Sequence, residues 1–242
     1  MKFSVVIPAR NEERHIVHCL EAIACAAKPY PGDVETIVVL NRCTDSTESA
    51  AQAHGARIIR DDHRNLAQIR NAGARVATGD VLVTVDADSV MAPATLVEID
   101  RLLASGRYIG GGALIHPERR SAGILLTGLL LVLFAAPRGI SAGLFWCRRS
   151  DFEALGGFNE EWTTAEDVDF AVRLKALGRK RNLRYGTLWR APMKTSCRKF
   201  DQFGDWFIVR LVLRHPVRMW RAWRGRAPDL GEKYWYDAGL RR

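Results

Sequence analysis

The sequence predicts an α/β fold in which a mostly parallel sheet carries helices on both faces. Two observations predict it. Short apolar runs alternate with helical patterns through the first half of the chain. In addition, polar residues follow the apolar runs where parallel strands would end, most clearly Asp86-Ala87-Asp88 after residues 81–85. Because ligands of open α/β sheets bind beyond the carboxyl ends of the strands, the candidate site is expected at that edge.

The first half of the chain predicts four strands and three helices. The strands are residues 3–7, 34–40, 57–60 and 81–85, and the helices are residues 11–27, 47–54 and 65–77. The first helix carries Ile16, Leu20 and Ile23 at helical spacing. This alternation of strands and helices is typical of a parallel sheet.

The second half of the chain predicts strands at residues 108–115 and 144–147 and a helix at residues 166–177 that Gly178 ends. Residues 122–136 form an uncharged apolar run. This run is shorter than the ~20 residues that cross a bilayer. A buried helix is favoured over a helix that dips into a membrane, and both interpretations stay open.

The tail at residues 200–226 interleaves apolar residues and tryptophans with arginines, and Pro216 is expected to divide it into two short helices. Two interpretations have equal weight. A basic amphipathic segment of this kind is typical of membrane-surface binding. The alternative is a helical pair packed on the domain with a solvated basic face.

The composition suits one large domain, or a domain with an appendage: of 242 residues, 48% are hydrophobic and 26% charged. The five cysteines lack CxxC spacing, so neither a disulfide framework nor a zinc site is expected. This use of cysteine is typical of a protein in the reducing cytoplasm. No charged segment precedes the first strand, so no secretory signal is expected. The net charge of +9 suits a phosphorylated substrate, anionic lipid or nucleic acid.

Four polar segments carry the candidate chemistry. They are residues 8–13, 41–47, 86–88 and 165–169. Each has a structural interpretation, since Asn11 and Asp45 are good helix caps and acidic residues suit the first turn of a helix. The first three segments are nevertheless expected to meet at one edge of the sheet, which indicates a single site.

The ordered motifs resemble those of family 2 glycosyltransferases with the GT-A fold. The matching residues are Val-Val-Ile-Pro-Ala-Arg-Asn-Glu-Glu at 5–13, Asn-Arg-Cys-Thr-Asp-Ser-Thr at 41–47, Arg-Asn-Ala-Gly-Ala at 70–74, Thr-Gly-Asp at 78–80, Asp-Ala-Asp at 86–88, Gly-Gly-Phe-Asn-Glu at 156–160, Glu-Asp at 166–167 and Arg-Leu at 173–174. The resemblance covers residues 3–185. It implies a transferase domain at residues 1–198, followed by a basic, Trp-rich helical extension at residues 199–242.

The resemblance also implies a role for each site residue. The residues expected to bind the nucleotide-sugar donor are Pro8, Ala9, Arg10, Asn11, Glu12, Asn41, Arg70, Asp86, Ala87 and Arg198. Asp88 would ligate Mn²⁺ or Mg²⁺ together with Asp86, with His116 as the candidate third ligand. Asp167 would be the general base, and its position at the start of a helix is expected to keep it ionised. Of the neighbouring acidic residues, Glu166 is the other catalytic candidate and Asp169 is expected to be structural.

The chain departs from the family pattern at Leu40, where an aspartate that reads the nucleobase is usual. Either Asn41 is expected to replace that aspartate in reading the base, or the chain is expected to use a nucleotide other than a uridine nucleotide. The donor is therefore expected to be UDP- or GDP-linked.

The resemblance implies an inverting, metal-dependent transferase that moves a sugar to an acceptor hydroxyl. The basic tail and the apolar run favour a lipid-linked acceptor and a cytoplasmic protein held peripherally at the inner membrane face. A nucleotidyltransferase and a non-catalytic protein that binds nucleic acid or membrane are the alternatives. A nucleotidyltransferase usually has a glycine-rich loop after its first strand, and residues 8–11 contain no glycine. The acidic segments at the sheet edge count against nucleic acid as a partner.

Overall fold

A computed structural model describes residues 1–217 and residue 219. The described residues contain one eight-stranded sheet. Its strands, numbered in chain order, are β1 (Phe3–Ala9), β2 (Val34–Leu40), β3 (Arg57–Arg60), β4 (Val81–Val85), β5 (Ser89–Val90), β6 (Tyr108–Pro117), β7 (Leu144–Arg148) and β8 (Arg184–Thr195).

Nine α-helices accompany the sheet in the described part of the chain. They are α1 (Ile16–Ala27), α2 (Thr47–Ala53), α3 (Leu66–Arg75), α4 (Thr95–Ala104), α5 (Ala122–Ala135), α6 (Arg149–Ala154), α7 (Glu166–Lys180), α8 (Arg198–Phe203) and α9 (Phe207–Arg214). A single turn of 3₁₀ helix, Ala136–Arg138, follows α5.

The strands lie in the order β3-β2-β1-β4-β7-β6-β8-β5. The four strands β3, β2, β1 and β4 are mutually parallel, so β1, β2 and β4 all end at one edge. β7 runs antiparallel to both of its neighbours, β6 and β8 are parallel to each other, and β5 is antiparallel to β8. The predicted mostly parallel sheet is confirmed, and every antiparallel pairing involves β5 or β7, which follow the four parallel strands in the chain.

Alternate strand residues point to two different cores, as the period of two in a strand requires. Phe3, Val5 and Ile7 of β1 share one core with side chains of α1 and α4, whereas Val6 lies on the opposite face with side chains of α3. A second large cluster on that opposite face joins α6 and α7 to β4 and β7. Helices on both faces are therefore confirmed.

Two predicted helix boundaries were wrong. The first helix begins at Ile16 and not at residue 11, because the preceding residues form a loop in which Asn11 has a positive φ of 52°. The helix that was expected to end at Gly178 continues through it to Lys180. Gly178 does not end the helix; it lies close to Ile109, where a larger side chain would not fit.

The expectation that residues 122–136 form a buried helix was also wrong. The helix is present, but only Gly123, Ile124 and Thr127 of α5 are buried. Periodicity cannot separate a buried apolar helix from an exposed one when every position is apolar. Within residues 1–217 and 219, no helix is both long enough and apolar enough to cross a membrane.

Two short helices, α8 and α9, lie towards the C-terminal end of the described residues, and α9 packs against α5. The prediction of a single helix before Pro216 was wrong, because the chain breaks at residues 204–206; α9 does end at Arg214, before Pro216. The predicted domain boundary between residues 198 and 199 falls in the first turn of α8. The arginines and tryptophans expected at residues 220–226 lie outside the described residues, as does Arg218.

Asn71 of α3 joins two of the sequence motifs. Its side-chain amide accepts from the backbone N–H of Phe158 (2.9 Å) and donates to the Phe158 carbonyl (2.9 Å) and to Glu160 (2.9 Å). The segment 156–160 is thereby held against α3.

Replacing Asn71 by alanine is expected to lower the free energy of unfolding by about 1–3 kcal/mol. The loss follows because the buried polar groups of Phe158 lose their partners without regaining water. Urea unfolding of the N71A variant measures it, and Gln68→Ala, a more exposed position on the same helix, is the control. An equal effect of the two substitutions would contradict this role for Asn71.

Candidate active site

The carboxyl ends of β1, β2 and β4 bring three of the polar segments to one edge of the sheet. Strained backbone marks the segments around this edge. Among the described residues, four that are not glycine have a positive φ, and three of them are Asn11, Arg42 and Ala165. Ala165 immediately precedes α7. Such conformations cost of order 1–3 kcal/mol each and cluster at functional sites.

The loops after β1 and β2 are bonded to each other. Asn11 accepts from the backbone N–H of Thr44 (2.8 Å), and Thr47 accepts from the N–H of Glu12 (2.8 Å). Asn11 therefore joins the two loops and does not cap α1, contrary to its structural interpretation. Asp45 does act at the start of α2, where it accepts from the N–H and hydroxyl of Thr47 (3.0 and 2.6 Å).

Arg70 lies between two of the predicted acidic segments. It projects from α3, which approaches β1 closely because Gly73 leaves room for Val6. One guanidinium nitrogen donates to Glu166 (2.6 Å) and the other terminal nitrogen donates to Asp86 (2.7 Å). Burial alone would lower the pKa of Arg70, but these carboxylates raise it above its ordinary value, so the side chain is a fixed positive charge.

Arg198 forms the second charge cluster at this edge. It donates to both oxygens of Glu12 (2.8 Å each), and its other terminal nitrogen lies 3.5 Å from Asp88. Asp88 also accepts from the hydroxyl of Ser196 (2.8 Å). The loop after β1, the segment 86–88 and the segment 196–198 therefore meet around Asp88.

Three carboxyl groups at this edge, those of Glu12, Glu166 and Asp167, have raised pKa values. Burial raises the pKa of Glu12 to about 7, although Arg198 opposes the shift and the charge of Asp88 adds to it. Burial likewise raises the pKa of Glu166 and of Asp167, against the attraction of Arg70. The helix start was expected to keep Asp167 ionised. Burial outweighs that effect, although the Asp167 carboxylate does accept from the N–H of Val168 (2.8 Å).

The expected structural role of Asp169 agrees with its contacts. Its carboxylate pairs with Arg173 (2.6 Å), which also donates to the carbonyls of Leu155 and Gly157. Asp169 is thus occupied within the fold, whereas Asp167 adjoins the charge cluster of Arg70.

The other predicted donor-binding residues have more local contacts. Pro8 and Ala9 are the last two residues of β1, and Ala87 is buried between the two aspartates. Arg10 follows them in the loop. Asn41 is buried, and its amide donates to the carbonyls of Asp61 (2.6 Å) and His63 (2.8 Å). Asn41 thus holds the loop after β3 in place, and its binding of a nucleotide stays a prediction.

Two residues near Asp88 escaped the sequence analysis. Ser196 and Lys199 flank Arg198 in the chain. Burial lowers the pKa of the Lys199 ammonium to about 8, while the charges of Asp88 and Asp86 oppose that shift. Arg198 is the predicted site residue of this region, but the contact of Ser196 with Asp88 spans more than 100 residues and has no local sequence pattern.

The predicted set of three metal ligands is not assembled. Among the described residues, no group of three or more His, Cys, Asp or Glu side chains is arranged to hold a metal. His116 is exposed on β6, opposite Lys194 of β8. Asp86 and Asp88 nevertheless fit Mg²⁺ or Mn²⁺, because such ions are commonly held by one or two carboxylates together with substrate phosphates. The Asp88 carboxylate lies 3.5 Å from the Arg198 guanidinium, so it is placed where a cation can pair with it.

A separate cleft of about 370 Å³ lies beside α4 and β8. Its lining includes Arg101, Tyr108, Arg184 and Trp189, and none of the predicted site residues. The candidate site is thus defined by its charge clusters at the sheet edge and not by this cleft.

The raised pKa of Glu12 predicts a pH-dependent stability. The folded chain holds this proton more tightly than the unfolded chain, whose reference pKa is 4.5. The contribution is therefore complete below about pH 4.5 and is lost as the pH rises through about 7. Replacing Glu12 by glutamine is expected to leave stability unchanged near pH 4.5 and to raise it, relative to the wild type, by up to about 3 kcal/mol near pH 8.

Urea unfolding across this pH range measures the difference between E12Q and the wild type. Glu161→Gln, which changes an exposed carboxylate, is the matched control and is expected to show no such trend. A difference for E12Q that stays constant with pH would contradict the assignment.

Curated relatives align with less than half of the chain. An uncharacterized glycosyltransferase of Mycobacterium tuberculosis is 30% identical over 102 residues, which cover 40% of this chain and 44% of the relative. The undecaprenyl-phosphate 4-deoxy-4-formamido-L-arabinose transferase of Proteus mirabilis is 35% identical over 113 residues, which cover 43% of this chain and 33% of that enzyme. The chain therefore matches less than half the length of these relatives.

Solved structures share the fold over most of the chain. Residues 1–349 of TarS from S. aureus, in complex with UDP-GlcNAc, give a TM-score of 0.64 at 18% identity, covering 81% of this chain and 58% of that one. The mannosyltransferase PcManGT of Pyrobaculum calidifontis, in complex with GDP-Man and Mn²⁺, gives 0.59 at 23% identity, covering 77% and 54%. The fold is that of the GT-A glycosyltransferases.

The family model described as glycosyl transferase family 2 matches residues 4–119. The matched stretch contains Glu12, Arg70, Asp86 and Asp88, the residues through which the two charge clusters are built on the sheet edge. Residues 4–119 of this chain therefore form a glycosyl transferase family 2 domain by the family model, and the relatives and the shared fold agree with that assignment.

Proposed function

We propose that this chain is an inverting, metal-dependent glycosyltransferase that moves a sugar from a nucleotide-sugar donor to an acceptor hydroxyl. The observation that carries the proposal is the meeting of three carboxylates and two arginines at the carboxyl edge of the sheet. Asp86 is bonded to Arg70, and Asp88 and Glu12 lie at Arg198. Asp167 adjoins this group through its neighbour Glu166.

The arginines support binding of the donor diphosphate. Arg70 and Arg198 are guanidinium groups, which recognise phosphate oxygens with two parallel hydrogen bonds. UDP- and GDP-linked donors are both proposed, since TarS is solved with UDP-GlcNAc and PcManGT with GDP-Man. Leu40 is buried in the core and does not supply the usual aspartate for the base.

Asp88, assisted by Asp86, would hold Mn²⁺ or Mg²⁺ against the diphosphate. The solved complex of PcManGT with Mn²⁺ supports the choice of ion. When bound, the ion would act as a Lewis acid that offsets the negative charge developing on the leaving diphosphate.

Asp167 would be the general base of a single displacement. The acceptor oxygen forms a bond to the anomeric carbon as the bond from that carbon to the diphosphate oxygen breaks, which inverts the carbon. The acceptor proton passes to the Asp167 carboxylate and then to solvent. The raised pKa of Asp167 supports this role, because a base is most effective when its pKa approaches the working pH.

A lipid-linked acceptor is the favoured class. The Proteus mirabilis relative is named for transfer involving undecaprenyl phosphate. The chain would then work in the cytoplasm at the inner face of the membrane. This part of the proposal depends on the acceptor and is separate from the donor chemistry.

Thermal unfolding of the full chain with a panel of nucleoside diphosphates and nucleotide sugars tests the donor and metal assignments. With Mn²⁺ and one matching nucleotide at about 100 times its Kd, binding adds about 2.7 kcal/mol to stability. That corresponds to a rise in Tm of roughly 5–10 °C for a chain of this size.

The Asp88→Asn variant is expected to lose the Mn²⁺-dependent rise. Asp80→Asn is the matched control, because Asp80 immediately precedes β4 and so lies at the end of that strand opposite Asp86 and Asp88. If no nucleotide raises the Tm of the wild type, or if D88N responds as the wild type does, the proposed function fails.

A further inference from the structure

The helix α5 presents an apolar face to solvent. Leu125, Leu129, Val132 and Leu133 are 53–61% exposed. Their spacing places them on one side of the helix. Residues 121–136 contain no charged residue.

The exposed apolar side chains of the molecule concentrate in α5 and around α9. Of the thirteen large exposed apolar residues in the described part of the chain, nine lie there. We call them the α5–α9 surface: Leu125, Leu126, Leu129, Leu131, Val132, Leu133, Trp206, Leu213 and Val217. α9 packs against α5, so the two helices are neighbours. Single exposed apolar residues are ordinary, but a concentration of this kind marks an interaction site.

Basic residues border this surface. Arg120 precedes α5 and Arg138 follows it, while Arg210 and Arg214 are exposed on α9. The Arg138 guanidinium lies 3.8 Å from the ring centroid of Phe134 and donates to the Phe134 carbonyl (2.7 Å), so its charge is held at the end of α5. Basic residues at the end of an apolar helix are typical of helices that lie at the headgroups of a bilayer.

Arg119 does not contribute to this charge, because it is paired with Asp201 and Asp205 (2.6 Å each). The arginines that remain give the border of the surface an affinity for anionic headgroups.

We propose that the α5–α9 surface binds an anionic phospholipid bilayer, with α5 lying in the interface. A helix that is apolar around its circumference is typical of a membrane or of a buried core, and α5 is not buried. One side of α5 packs against the rest of the protein through Gly123, Ile124 and Thr127. An interfacial helix usually has a polar face on the side away from the lipid, and here the rest of the protein covers that side. Anionic lipid complements the bordering arginines, with each basic residue contributing about 1 kcal/mol near such a surface.

The bilayer would lie next to the candidate active site. β6 leads into α5, and its last residue, Pro117, pairs with Thr195 of β8. Ser196, the next residue, bonds to Asp88. A membrane-bound α5 would thus place the acidic edge close to the lipid headgroups. Supply of a lipid-linked acceptor from that bilayer rests on the proposed function, whereas bilayer binding itself does not.

Vesicle flotation of the full chain tests the proposal. Vesicles of phosphatidylcholine alone are compared with vesicles that also contain phosphatidylglycerol, at low and at physiological salt. The wild type is expected to bind the anionic vesicles, and the double variant Leu129→Glu, Val132→Glu is expected to bind them at least about tenfold more weakly. The control is Val172→Glu, which places one such charge at a 42% exposed valine on α7 and is expected to bind as the wild type does.

The Tm and the mass in solution of the same variants provide two further tests of the proposal. The Tm of the double variant is expected to stay within a few degrees of the wild type, because both residues face solvent. A large fall in the Tm of the double variant would show that another part of this chain covers the face. A smaller mass of the double variant than of the wild type, measured by light scattering, would show that a second copy covers it. Either result would overturn the proposal. So would equal vesicle binding by the wild type and the double variant. Nucleotide-dependent shifts in Tm are measured in parallel, so failure of vesicle binding is distinguishable from failure of the proposed donor chemistry.

Discussion

Replacing Asp167 by asparagine is expected to lower the rate of sugar transfer by about 10²–10⁴-fold and to leave donor binding unchanged. Asparagine has nearly the same shape but cannot accept the proton of the acceptor hydroxyl. Its side-chain oxygen can still accept from the N–H of Val168, so the start of α7 is preserved. Release of the nucleoside diphosphate measures the rate, and the nucleotide-dependent rise in Tm measures donor binding.

Asp169→Asn is the control for this experiment, because Asp169 also lies in the first turn of α7 but is paired with Arg173. It is expected to lower stability and to leave most of the rate intact. Retention of activity by D167N would contradict the assignment of the base. An acceptor that attacks through an already ionised phosphate would give that result, since it needs no base.

Replacing Arg70 by methionine is expected to lower the free energy of unfolding by about 3–5 kcal/mol and to abolish donor binding. Arg70 and Glu166 are both buried, and removing the guanidinium leaves the Glu166 carboxylate without its cation. Asp86 loses the same partner. Urea unfolding measures the stability, and a nucleotide titration followed by Tm measures the binding.

A second substitution separates the ion pair from simple packing. Adding Glu166→Gln to R70M removes the uncompensated charge, so the double variant is expected to recover part of the lost stability. Arg75→Met is the matched control on the same helix: Arg75 is 63% exposed and 3.9 Å from Glu160, and a pair of this kind contributes about 0–1 kcal/mol. Equal losses for R70M and R75M would contradict the central position of Arg70.

The local part of the fold and site was predictable from the sequence. The run Val81–Val85 has the length and composition of a buried strand, and the strand ends there as predicted. Asp86 and Asp88 follow at the carboxyl edge because a parallel sheet allows no other place for them. Asn65 was predicted to begin a helix, and its side chain caps α3 by accepting from the N–H of Gln68.

The partners of these residues were not predictable, because they are distant in the chain. Arg70 meets a glutamate 96 residues away, and Glu12 meets Arg198 across 186 residues. No periodicity or spacing encodes such contacts. The same limit applied to α5, where an unbroken apolar pattern identified the helix but did not reveal which side the protein leaves uncovered.

Burial also reversed one electrostatic expectation. The position of Asp167 at a helix start suggested a carboxyl with a depressed pKa. Burial within the protein raises that pKa, because desolvation of the charged form exceeds the attraction of Arg70 and the hydrogen bond from the N–H of Val168. The raised value suits a base better than the expected one.

Electron paramagnetic resonance of Mn²⁺ tests the central claim most directly, namely that Asp88 holds a metal together with the donor diphosphate. The full chain, Mn²⁺ and the nucleoside diphosphate selected by thermal unfolding are mixed, and the signal of free aqueous Mn²⁺ is followed as protein is added. The account predicts that wild type and D80N remove this signal at equal protein concentrations, whereas D88N needs at least about tenfold more protein. Equal removal by D88N and wild type would contradict it, because the metal would then be held without Asp88.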